Sequence, residues 1–76
     1  MKTVQISLNS IDKVKSFVNA ITQYEYDFDL ISGRYVIDAK SIMGIFSLDL
    51  FKPIDLAIHA EANVDEIMET LKPYLI

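Results

Sequence analysis

Every stretch of this chain that reads as a strand is apolar on one side only, and that narrows the fold more than any other feature. Val4, Ile6 and Leu8 alternate with Thr3, Gln5 and Ser7; Tyr26, Phe28 and Leu30 alternate with Asp27 and Asp29; Ile54, Leu56 and Ile58 alternate with Asp55, Ala57 and His59. Successive side chains on a strand point to opposite faces, so each segment offers one face to a core and the other to water. A parallel sheet, covered by helices on both sides, would need strands that are apolar throughout. The pattern predicts an antiparallel sheet with all its helices on one face.

The segments between the strands supply those helices. Asn9 and Ser10 are N-cap residues ahead of Ile11, Val14, Phe17, Val18 and Ile21, whose spacing predicts a helix of about three turns. Ser32-Gly33 reads as the turn of a hairpin, with a β-branched and aromatic run following it. Ser41 caps a short helix expected to run through Leu48, although Gly44 in its middle lowers helix propensity by about 1 kcal/mol relative to alanine. That helix depends on packing. Pro53 prevents its continuation. Asn63, three residues before Glu66, reads as the start of a capping box, with Val64, Ile67, Met68 and Leu71 as the inward stripe and Pro73 as the terminator.

The resulting order is β-α-β-β-α-β-α, and the fold class is α+β: an open-faced two-layer sandwich, a four-stranded antiparallel sheet with three helices on one face. A ferredoxin-like double βαβ is the neighbouring architecture. It wants two comparable crossover helices, whereas here the second is about half the length of the first.

Seventy-six residues form one domain, residues 1–76, and 51% hydrophobic residues is a globular composition. No cysteine is present, so neither a disulfide nor a thiolate metal site braces the chain. A net charge of -4 opposes phosphate backbones, which argues against nucleic acid as a partner. No apolar run approaches the roughly 20 residues needed for membrane insertion, and the expected location is the cytoplasm. Glu25, Asp27 and Asp29 lie on a strand face without the oxygen-rich loop calcium requires, so no metal is expected. There is no glycine-rich phosphate loop and no serine-histidine-acid set, and no catalytic residue or cofactor is assigned.

The segment "KSIMGIFSLDL", Lys40 to Leu50, is unusual in that its apolar residues are too many for one buried stripe. It resembles the "KSIMGVMSLG" segment of HPr, the phosphocarrier family of the sugar phosphotransferase system. "DFDLISGRYVIDAKS" ahead of it resembles that family's second and third strands, and the element order agrees over essentially the whole chain. The resemblance implies the HPr-like sandwich, and a histidine near the start of the first helix, in a "GIHARPA" motif, that accepts a phosphoryl group and passes it on. Here the corresponding stretch reads "LNSIDKVKSF", shorter and without histidine, arginine or proline. Lys13 and Lys15 bring charge but are not acceptors. The one histidine, His59, belongs to the last strand and is expected on the open face near Asp27 or Asp29.

The resemblance also implies a regulatory phosphorylation site at Ser41, matched within "KSIMG". A phosphate there would meet unpaired N–H groups at a helix start, with Lys40 adjacent. Serine is equally a preferred N-cap, and both roles stand open. Asp49 in place of the family's glycine, with Phe51-Lys52-Pro53 after it, departs from the family pattern beside that site. By position, Ile42, Met43 and Phe46 carry over as a partner-binding patch. The expected protein is HPr-like but without phosphocarrier chemistry and not an enzyme. It would act as a regulatory or protein-interaction module related to the phosphotransferase system, with HPr kinase or a transcriptional or metabolic regulator as partner. Two alternatives stand beside it: a phosphocarrier using another residue, with His59 the sole imidazole, and a diverged domain whose apolar segment makes an oligomer.

Overall fold

The computed structural model describes residues 2–76. Along the chain lie β1 (Lys2–Ile6), α1 (Ile11–Thr22), β2 (Asp27–Ser32), β3 (Tyr35–Asp38), α2 (Ile42–Ile45), β4 (Ile54–His59) and α3 (Val64–Leu71), with a 3-10 turn over Lys72–Tyr74. The strands form one antiparallel sheet in the order β1-β4-β2-β3. This is the expected HPr-like two-layer sandwich. β1 and β2 run parallel with β4 inserted between them, and α1 crosses over it from one to the other.

Register explains the core. Val4, Ile6, Phe28, Leu30, Ile54, Leu56 and Ile58 share a face because Val4 pairs with Leu56, Ile6 with Ile54, Phe28 with Ile58 and Leu30 with Leu56. Against that face α1 packs Val14, Phe17 and Ile21, and α3 packs Ile67 and Leu71, all fully buried. The opposite face is mostly polar, with Ile31, Val36 and Ala57 as its apolar members; Ala57 is only 2% exposed, because β4 is central and Thr3 and Asp29 flank the small side chain.

Three local readings differ from expectation. The helix α2 ends at Ile45 and not at Leu48: after it, Ser47 N–H donates to the Gly44 carbonyl and Leu48 N–H to that of Ile45, the shorter-range bonds that tighten a last turn. Asn63 does begin α3 but does not cap it. It sits in the left-handed region at φ 60, and its amide donates to the Tyr26 hydroxyl at 3.4 Å. The hairpin turn is Gly33-Arg34, bounded by the Ser32–Tyr35 pair, with positive φ at Gly33 alone. That is the type II′ arrangement, in which glycine takes the first turn position.

Beyond Pro73 the chain does not fray. Tyr74 is buried edge-on against Phe17, centroids 5.5 Å apart, and its hydroxyl bonds Ser16 Oγ at 2.7 Å. The residues after it lie along β1: Ser7 N–H donates to the Tyr74 carbonyl, Leu75 bridges Ile6, and Ile76 N–H donates to the Gln5 carbonyl. The C-terminal residues thereby cover the outer edge of β1.

Candidate functional site

The start of α1 is where an HPr-type carrier would hold its phosphoryl group, and here that start is a serine cap. Ser10 has extended backbone, and its Oγ accepts from Lys13 N at 3.1 Å. Asp12 occupies the first turn, where a carboxylate suits the positive end of the helix dipole but repels a second anion. The Lys15 side chain is exposed and Lys13 half-buried. Ile11, next to the cap, is 61% exposed. The arrangement holds a helix end; it contains no imidazole.

His59 lies in the other layer. At the end of β4 it pairs in register with Asp27, and its Nε2 lies 2.8 Å from Asp29 Oδ2, a diagonal neighbour on the open face. A shallow depression of about 320 Å³ there is lined by Asp27, Asp29, Asp38 and His59. Three carboxylates line the depression with the imidazole and oppose a phosphorylated adduct, and no residue of a helix start is among the lining. Among the described residues no group of three or more histidines and carboxylates is arranged to hold a metal ion.

Ser41 caps α2 as Ser10 caps α1: extended backbone, with Oγ accepting from Gly44 N at 3.2 Å. The neighbouring Lys40 is not turned toward it. Its Nζ donates to the Tyr24 carbonyl at 2.7 Å and lies 5.7 Å from the centroid of the Phe28 ring, while its backbone N–H donates to Asp38 Oδ1. Gly44 also has a packing reason. A Cβ at that position would lie 2.6 Å from Ile37 Cγ2, so β3 approaches α2 only because residue 44 has no side chain. This explains a glycine that helix propensity alone disfavours.

The three residues carried over as a docking patch do not behave alike. Met43 is 77% exposed and Phe46 41%, and three residues apart on a helical turn they are neighbours. Ile42 is half-buried and packs against the core margin. Ile45 and Leu48 turn wholly inward. Sequence reasoning missed Ile11 and Phe51, the latter 92% exposed. For Ile11 the signal was its place at the first helical position, before the buried stripe begins at Val14; for Phe51 it was the adjoining Lys52-Pro53, which marks a loop and not a core. The larger groove, about 410 Å³, lies elsewhere, at the hairpin-turn end of the sheet. It sets Arg34 and Lys52 among Asp49 and Asp55 and so has no single charge preference.

No protein-family model and no curated protein matches the sequence. Among solved structures, the crystal structure of HPr-C-His from Thermoanaerobacter tengcongensis is similar, with a TM-score of 0.77 and 22% sequence identity over 96% of this chain and 89% of that one. The fold is HPr-like.

Proposed function

We propose that this protein is an HPr-like interaction module related to the sugar phosphotransferase system that does not carry phosphoryl groups and is not an enzyme. One observation carries the reading: the sole imidazole stands on the open sheet face beside Asp29, in the layer away from the α1 start, where Ser10 and Asp12 take the place of a nucleophile. A phosphorylated imidazole needs a cation and free N–H groups around its oxygens, and His59 has carboxylates instead.

What remains is a surface. Met43 and Phe46, with Ile42 at their margin, form the partner-binding patch, and the flexible thioether of Met43 suits an adaptable contact. Ser41 beside them is the regulatory site. Phosphorylation there would replace a neutral cap by a dianion and change the charge beside the patch. Lys40, held by the Tyr24 carbonyl, gives that phosphate no partner unless it first lets go. The modification therefore acts on the partner's approach and does not lock the helix. The partner is a protein, either the kinase or a transcriptional or metabolic regulator, and the setting is the cytoplasm. Among the described residues no helix is long and apolar enough to cross a membrane.

Intact-mass measurement under two phosphoryl donors tests the reading. With ATP and an HPr kinase the expected result is one added phosphate, absent in Ser41→Ala. With phosphoenolpyruvate and the upstream phosphotransferase enzyme the expected mass is unchanged. An acid-labile phosphate gained from phosphoenolpyruvate refutes the reading.

A further inference from the structure

The two edges of the sheet are treated differently. The β1 edge is occupied by residues 74–76, whereas β3 presents its outer edge bare, with Tyr35 67% and Val36 66% exposed. Which backbone groups face outward follows from the register. Ala39 N–H donates to the Phe28 carbonyl at 2.8 Å, and alternation then makes Leu30–Ile37 and Ser32–Tyr35 the hydrogen-bonded pairs of the β2–β3 ladder. The N–H and C=O of Val36 therefore point away from the sheet. Unpaired strand groups of this kind are a template for another strand, and β3 carries neither the lysine nor the proline that commonly guards such an edge.

We infer that β3 pairs antiparallel with β3 of a second copy of this chain, about a two-fold axis at Val36. The sequence from Arg34 to Asp38 is complementary to itself in that register. Val36 meets its counterpart and exchanges both backbone hydrogen bonds; Tyr35 faces Ile37 of the other copy on the helix side; Arg34 faces Asp38 on the open side. Aromatic with β-branched and cation with carboxylate are the favourable cross-strand combinations. The ion pair forms twice by symmetry. The same charges deter strands that lack the matching order, so the edge selects its own copy.

The geometry leaves these groups available. Arg34 is in no ion pair among the described residues, and Asp38 uses only Oδ1, toward Lys40 N–H. The Asp38 carbonyl accepts from Ser41 N–H at 3.0 Å, so the ladder is firmest at Val36 and thins toward its ends. On the open face the dimer would join Ile31 and Val36, paired across β2 and β3, to the same pair of the second copy. A contact this short buries less than a permanent dimer requires, so the association is weak and reversible. It is independent of the proposed function and uses none of Ser41, Met43 or Phe46.

Sedimentation velocity over a concentration series up to about 1 mM, with hydrogen exchange read at the Val36 amide, tests the inference. The expected result is a concentration-dependent dimer with Val36 protected only as it forms. Val36→Lys, on the open face and outside the core, should be monomeric. Arg34→Glu and Asp38→Lys should each dimerise about tenfold more weakly alone, and their mixture should restore association by matching the exchanged charges. If Asp38→Lys fails to fold, having lost the bond to Lys40, Val36→Lys and Arg34→Glu decide the matter. A monomer at every concentration overturns the inference, as does a dimer that survives Val36→Lys.

Discussion

The two serine-capped helices begin alike and then diverge. Ser10 and Ser41 each accept a hydrogen bond from the backbone N–H three residues on, at 3.1 and 3.2 Å. From that common start α1 runs for 12 residues with one apolar stripe, Val14, Phe17 and Ile21, wholly inside. The α2 helix runs for four residues, buries only Ile45 within them, and leaves Met43 at 77% exposure. Burial accounts for the apolar stripe of α1 from Val14 onward, Ile11 at its first position being exposed. It does not account for the apolar residues of α2, which is why the surface reading attaches to the shorter helix and the structural one to the longer.

Mutations that weaken the core side of this contrast should have the largest effect. Phe17→Ala empties a fully buried site under Tyr74 and should cost about 3–5 kcal/mol in urea unfolding. A cost below 1 kcal/mol would deny α1 its structural role. Next comes Gly44→Ala. Alanine gains about 1 kcal/mol of helix propensity but loses about 1–3 kcal/mol to the clash with Ile37 Cγ2, so the net effect should be destabilising. In an Ile37→Ala background the same change should turn stabilising, a coupling that a double-mutant cycle reads directly.

Ser10→Ala and Ser41→Ala should each lose about 1 kcal/mol, since each removes the same cap bond. On the proposed function their effects should part only on phosphorylation, with Ser41→Ala alone expected to abolish labelling by HPr kinase. The smallest effect is expected from Met43→Ala, within about 0.5 kcal/mol of the parent in stability but with loss of partner binding. A stability loss approaching that of Phe17→Ala would place Met43 in a core and end the distinction between the helices.

The fold was legible where one pattern answered one question. Period-two alternation in Val4–Leu8, Tyr26–Leu30 and Ile54–Ile58 decided the sheet, its antiparallel sense and its single buried face. Helical spacing decided α1. Alternation also put His59 on the open face, because the face of a residue is settled by its parity along the strand, but the choice of Asp29 over Asp27 as its partner came only with the register. The missed details depend on contacts distant in sequence. Nothing local to Asn63 shows that Tyr26, far away in the chain, takes its amide. Nothing around Gly44 names the Ile37 side chain as the one it makes room for, and adjacency in sequence pairs Lys40 with Ser41 although the Tyr24 carbonyl holds the Lys40 ammonium. Of the candidate site, sequence located Met43 and Phe46 on the surface but could not separate them from the half-buried Ile42. A one-turn helix has too few residues for a moment to define its inner side.

The proposal that no nitrogen of this chain carries a phosphoryl group is the centre of this account, and phosphorus NMR tests it directly. With the upstream phosphotransferase enzyme and phosphoenolpyruvate supplied continuously, the spectrum should show no phosphorus bonded to a nitrogen of this chain. A phosphoramidate resonance that disappears in His59→Ala would contradict the account and make His59 a carrier.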